Sequence, residues 1–204
     1  MGDVYAKFDL QKDENGRILV NTADGSVHPD KANEFFLGSV FPKCNLGWSN
    51  ELSYKGLSLG FLMTARIGGI VLSSTQAVLD HFGVSEQSAI WRDKGGIPVN
   101  NGKVSALNWY NVVGAGQGMM AYYTYSATNV RLQEAHISYT LPKSWFKNKL
   151  GMTLGITGRN LLMIYNKAPF DPEMTASTGN FYQGIDYFMM PSLRNIGFNV
   201  KLQF

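Results

Sequence analysis

The chain of 204 residues carries 18 Lys and Arg against 15 Asp and Glu, a net charge of +3, and only 16% of its residues are charged. A soluble domain averages about 25% charge, so thin charge together with 22 glycines and 12 phenylalanines suits an outer surface that does not face water. The basic residues are scattered, which excludes a nucleic-acid footprint, and the single cysteine, Cys44, excludes an internal disulfide.

Residues 4–10 and 17–21 are expected to flank the turn Asp13-Glu14-Asn15-Gly16 as a hairpin. From residue 45 the chain alternates with period two, the signature of a strand. Leu46, Trp48, Asn50, Leu52 and Tyr54 fall on one row, and Asn45, Gly47, Ser49, Glu51 and Ser53 on the other. Lys55-Gly56 makes a tight turn into a second strand over 57–67. That strand sets Leu57, Leu59, Phe61, Met63, Ala65 and Ile67 against Ser58, Gly60, Leu62, Thr64 and Arg66. In the long connection 68–128, Ser74-Thr75 before Ala77, Val78, Leu79 and Phe82, closed by Gly83, predicts one short capped helix. Gly95-Gly96, Pro98 and Asn100-Asn101-Gly102 mark turns.

Residues 129–141 alternate less cleanly, with Ala135, Ile137, Tyr139 and Leu141 as the apolar row. A strand from residue 150 sets Leu150, Met152, Leu154 and Ile156 against Gly151, Thr153, Gly155, Thr157 and Arg159, and runs on toward Tyr165. The last strand sets Ile196, Phe198, Val200, Leu202 and Phe204 against Gly197, Asn199, Lys201 and Gln203.

These strands meet the roughly 9–11 residues that a membrane-spanning strand needs, and their apolar rows hold no charge. A lysine or arginine facing lipid at mid-membrane costs roughly 2–4 kcal/mol. The opposite row, rich in Gly, Ser, Thr and Asn, suits a barrel lumen better than the Lys- and Glu-rich solvent face of a sandwich. Short connections at 55–56 and 142–149 alternate with long ones at 68–128 and 167–193, as in barrels with short periplasmic turns and long outer loops. The expected fold class is therefore all-β: antiparallel strands of a large transmembrane β-barrel with long extracellular loops and one short loop helix. Tyr139, Trp145 and Phe146 then fall near the periplasmic face, where aromatic girdles belong, or serve ordinary packing. A soluble β-sandwich that binds carbohydrate is the alternative. No run approaches the roughly 20 apolar residues of a membrane helix, and no signal peptide opens the chain.

From about Leu37 onward the sequence resembles the SusC/RagA-type TonB-dependent transporters. The resemblance rests on Phe41-Pro42-Lys43, Gly47-Trp48-Ser49-Asn50, Arg66-Ile67-Gly68-Gly69, Arg92-Asp93-Lys94-Gly95-Gly96, and Thr128-Asn129-Val130-Arg131-Leu132. Its most telling parts are Gly158-Arg159-Asn160-Leu161, Pro169-Phe170-Asp171-Pro172-Glu173, and Gly184-Ile185-Asp186-Tyr187 with Pro191. It implies a barrel of roughly 22 strands, of which residues 1–204 are the C-terminal part, lacking the plug domain and earlier strands. It further implies uptake of an oligosaccharide or peptide across the outer membrane, a SusD-like surface lipoprotein as cap, and TonB pulling on the missing N-terminal part. Phe198, Leu202 and Phe204 resemble the terminal signal read by the barrel-assembly machinery, although Asn199 stands where a glycine is frequent.

Trp91, Trp109, Tyr110, Phe181, Tyr182 and Tyr187 are candidates to stack on sugar faces or pack against the cap; packing among the loops is the simpler role for any one of them. Arg66 and Arg159 are expected to face the lumen and contact the plug, a neighbour or substrate. An enzyme is not expected, and neither is a cofactor or metal. His28, His81 and His136 lie in no metal-ligand spacing. Gly114, Gly116 and Gly118 lack the strand and helix of a phosphate loop. Asp80-His81 is expected to be solvated, as are Asp171 and Glu173 beside Pro172, where a bound cation is the competing reading.

Overall fold

The computed structural model describes residues 2–6, 9–32, 34–116, 118–147, 149–174 and 183–203. The chain begins with β1 (Asp3–Ala6), β2 (Asp9–Leu10), β3 (Pro29–Asp30), β4 (Phe35–Ser39), β5 (Cys44–Tyr54), β6 (Leu57–Ile67) and β7 (Ile70–Ser73). Then follow α1 (Ser74–His81), α2 (Glu86–Asp93), β8 (Ile97–Val99), β9 (Gly102–Val104), α3 (Ala106–Val113) and β10 (Thr124–Ser126). The last elements are β11 (Asn129–Leu141), β12 (Gly151–Asn166), β13 (Ile185–Asp186) and β14 (Asn195–Gln203). Two compact units divide the chain: a loop unit of residues 1–41, 69–126 and 173–190, and a sheet unit of 42–68, 127–172 and 191–204.

The sheet unit is one open antiparallel sheet of five strands in the order β14-β12-β11-β6-β5, with β14 and β5 as its edges. Lys55 and Gly56 both adopt positive φ, +47° and +87°, the conformation of a two-residue turn whose twist matches the flanking strands. The register lays the alternation of each strand onto that of the next. Leu52, Leu59, Ile137, Ile156 and Phe198 are successive partners across all five strands, as are Tyr54, Leu57, Tyr139, Leu154 and Val200. Each of these ten apolar side chains is exposed. The other face aligns Ser53, Ser58, Ser138, Gly155 and Asn199. Hydroxyl pairs bridge it at 3.0 Å between Ser53 and Ser58 and between Thr140 and Thr153.

The imperfect alternation of β11 has a local cause. Gln133 is an extra residue, since Leu132 pairs with Met63 and Glu134 with the adjacent Leu62. This bulge switches the phase of the strand, so Val130 and Leu132 join the face of Ala135 and Ile137 despite the change of parity. Opposite it, Asn160 sits at φ +51° in an irregular step of β12 between Arg159 and Leu162. Asn is one of the few side-chain-bearing residues that tolerate this conformation.

The register also places the β5–β6 turn, the β11–β12 connection and the end of β14 at one edge of the sheet, and both long connections at the other. Tyr54, Tyr139 and Trp145 are exposed at the short-turn edge. The sheet carries the expected all-β class, and among the described residues it does not close into a barrel.

The loop unit departs from expectation in two places. The turn at Asp13–Gly16 forms, with Asp13 Oδ1 accepting from the amides of Asn15 and Arg17, and Lys12 bridges to Ile18 across it, but the residues before Gln11 pair elsewhere. β1 pairs with β4, and β2 with β3. Long-range pairing partners of this kind leave no local trace. The expected helix is α1, capped by Ser73 rather than Ser74. Two further helices accompany it: α2, capped by Ser85, and α3, capped by Ser105. Helix α3 and β8–β9 enclose a core of Leu10, Val27, Ala77, Val104, Trp109, Tyr110, Val113 and Tyr123.

Candidate functional site

The broad apolar face of the sheet is the largest functional surface. Its β5 row carries Leu46, Trp48, Leu52 and Tyr54, and its β14 row Ile196, Phe198, Val200 and Leu202, all exposed. Trp48 packs edge-on against Phe61, ring centroids 5.2 Å apart. Cys44 pairs opposite Ile67 and continues the same row, exposed. No Asp, Glu, Lys or Arg interrupts these rows. A monomeric soluble protein rarely leaves so wide an apolar surface in water. All five long strands of the unit lie in this one sheet, so the second layer that a sandwich would need is missing among the described residues.

The opposite face carries the expected lumen residues. Arg159 lies on it, and its Nε is 3.3 Å from Oε2 of Glu134, its cross-strand partner. Both groups are well exposed, so the pair contributes little energy. Arg66 is half-buried and faces Asn45 and Asn129. His136 lies flat over Gly60, where a Cβ would meet its ring at 2.2 Å.

At the long-connection edge of the sheet, Arg131 and Asp171 form an ion pair of 2.7 Å with side chains only 5% and 9% exposed. Ser192 also donates to Asp171. The strand end is folded back toward this pair by Asn166, whose amide donates to the carbonyls of Ala168 (2.9 Å) and Phe170 (2.7 Å). Asp171 is thus neither solvated nor a cation ligand, because guanidinium and hydroxyl donors occupy both its oxygens. Among the described residues no cluster of His, Cys, Asp and Glu suits a metal ion.

The loop unit has carboxylates of the same kind. Asp80, 4% exposed, was expected in water. It instead accepts from Gln76 Nε2 at 2.8 Å, Ser85 Oγ at 2.5 Å and the Tyr123 hydroxyl at 3.1 Å. Asp186, also buried, accepts at 2.8 Å from Ser73 Oγ, which itself caps α1 by accepting from Gln76 N. Burial, then the nearby Asp80 charge, pushes the Tyr110 hydroxyl up to about 12 and drives Tyr123 further in the same direction. Tyr122 reaches about 12 by burial and the charge of Asp9.

Of the candidate aromatics, Trp109 and Tyr110 are buried in the loop-unit core and Trp91 packs against it. Tyr187 is 54% exposed and meets Phe188 edge-on at 5.3 Å. Phe181, Tyr182 and Phe204 lie outside the described residues, while Phe198 and Leu202 stand on the apolar row of β14. The organising carboxylates Asp80, Asp171 and Asp186 were not singled out as such. The only signal for the last two was their place inside the motifs around Pro172 and Gly184.

An open antiparallel sheet of long strands, uncharged and apolar on its exposed face, is the wall of an outer-membrane β-barrel. The chain is similar along its whole length to the TonB-dependent receptor P3 of Formosa agariphila, at 25% identity, spanning 20% of that protein. Over 94% of its length it is 25% identical to TonB-dependent receptor P26 of the same organism, spanning 19% of it. Its fold matches the RagAB peptide importer in the "open-open" state with a TM-score of 0.66 at 19% identity, over 98% of this chain and 22% of that one. The RagAB peptide transporter matches with a TM-score of 0.60, at the same identity and coverage. No family model matches. The chain thus resembles a stretch of the barrel of TonB-dependent receptors, proteins of the outer membrane, and spans about a fifth of the length of these relatives. The relatives are receptors and importers rather than enzymes.

Proposed function

We propose that residues 1–204 are the C-terminal barrel strands and outer loops of a transporter that carries oligosaccharides or peptides across the outer membrane. The observation that carries this reading is the five-stranded apolar face, an exposed area of the kind that lipid covers. In this reading a plug domain and further strands complete the barrel, a SusD-like lipoprotein covers the outer loops, and TonB energises uptake through the plug. The barrel-assembly machinery reads the end of the chain, with Phe198 and Leu202 on the apolar row of β14 and Phe204 as the terminal aromatic. Arg159 and Arg66 line the lumen, and Tyr187 with Phe181 and Tyr182 belongs to the loops that meet cargo or cap. Similarity to a peptide importer supports peptide as one of the two cargo classes.

Uptake decides the matter. Cells disrupted in this gene, and the same cells complemented, are given fluorescently labelled oligopeptides or oligosaccharides with and without a protonophore. The proposal expects complementation to restore uptake of one class, and the protonophore to abolish it. Equal uptake of both classes in disrupted and complemented cells, under limiting substrate, would overturn it.

A further inference from the structure

Period-two alternation fixes the faces of a strand but not its register. A slip by one residue exchanges the two faces and is heavily penalised. A slip by two keeps Ile196, Phe198, Val200 and Leu202 on the lipid side and Gly197, Asn199 and Lys201 on the other. As an edge strand, β14 has only β12 to hold it among the described elements. Something other than hydrophobic pattern must therefore choose between registers two residues apart.

Two side chains hold the segment just before β14. Asn160 Nδ2 donates to the Leu193 carbonyl at 3.1 Å. Asp171, pinned by the buried Arg131, accepts from Ser192 Oγ. Only Arg194 separates the pinned residues 192 and 193 from Asn195, which forms the first β12–β14 pair with Arg159. A third fit lies within the strand. Asn199 covers Gly155, where a Cβ would stand 2.4 Å from its Oδ1. After a two-residue slip, Asn199 would face the β-branched Thr157 or Thr153 instead.

We propose that Asn160, Asp171 and Ser192 form a register-setting hub for the final strand, with Asn199 over Gly155 as its check. The motifs Gly158-Arg159-Asn160 and Phe170-Asp171-Pro172 then serve barrel assembly rather than cargo. The placement of the strand in the outer membrane rests on the function proposed above; the register test does not depend on uptake.

The test is disulfide trapping in outer membranes of cells making the protein from its own locus, with Cys44 replaced by serine. The pair T157C/G197C reports the native register, since these residues are direct partners, within disulfide reach. T157C/N195C and T153C/Q203C report slips of two residues in either direction. Asn160→Gly keeps the left-handed backbone and gives up only a half-buried amide, and Ser192→Ala keeps the Arg131–Asp171 pair, so neither removes a charge. In the unaltered hub, trapping is expected only in the native pair. In the N160G/S192A background at least one slipped pair is expected to trap at a tenth or more of the native yield, with smaller fractions in the single variants. Native trapping alone in the double variant overturns the proposal. Should the double variant fail to reach the membrane, the same result in both single variants overturns it equally.

Discussion

Asp80 shows how far a single residue can depart from its local appearance. Next to a histidine on a short loop helix it reads as solvated, yet three donors from α1, the α1–α2 turn and the segment before β10 converge on it. Burying a carboxylate is tolerable only when its lone pairs are satisfied, so these donors make Asp80 an organiser of the loop unit. The surrounding tyrosines set a pH limit. Tyr110 and Tyr122 ionise at about 12 in the folded protein, against an ordinary value of 10.0. Because folding raises their values, their contribution to stability is complete below pH 10 and is lost as pH climbs from about 10 to 12. In that window the unfolded chain sheds protons that the folded chain keeps. The loop unit is expected to open across this range while the sheet unit persists. Amide exchange measured at stepped alkaline pH checks it: loss of protection in α1 and α3 before β11 and β12 is the expected order, and simultaneous loss contradicts it.

At the scale of elements, the long strands were legible because lipid and lumen demand opposite chemistry on alternate residues. The alternation places β5, β6, β12 and β14 to within a residue or two at both ends. β11 was blurred by one residue, Gln133, whose bulge shifts parity without changing which side chains are apolar. What the local pattern does not carry is a pairing with a distant partner, such as β1 with β4. Among the candidate residues, Arg159 stands beside Glu134 on the face opposite the apolar rows. The aromatics Trp109 and Tyr110 went into a core instead, because an aromatic in a long connection carries no local mark of whether the connection folds on itself. The row assignment makes a direct prediction about adjacent positions of β14. Phe198→Lys puts an ammonium on the lipid row at a cost of roughly 2–4 kcal/mol. Gly197→Lys puts it on the other face, where a Cβ meets nothing within 4 Å. The folded fraction recovered in outer membranes should fall sharply for F198K and little for G197K; equal recovery of the two contradicts the assignment.

For the whole molecule, the two units divide the labour that a barrel wall requires. One is a sheet whose outer face asks for hydrocarbon and whose edge strands β5 and β14 present unpaired backbone groups, a liability unless further strands complete the circle. The other packs two long connections into a unit with its own core and buried carboxylates, which turns flexible length into a defined outer surface. The motifs that carry the family resemblance are spent largely on this construction: Asp171 and Asp186 anchor the second long connection, Thr128 accepts from Gly68 N at 3.0 Å, and Asn160 shapes the irregular step of β12.

The central claim, that this sheet is a membrane wall, is tested most directly by accessibility along β14. Single spin labels at positions 196 to 202, with Cys44 replaced by serine and the protein in its native outer membrane, are exposed to oxygen and to a water-soluble nickel chelate. Positions 196, 198, 200 and 202 should be relaxed by oxygen, and 197, 199 and 201 by nickel, in strict alternation. Nickel access at all seven positions, or no alternation, would mean that the apolar face meets something other than lipid, and the barrel reading would fall.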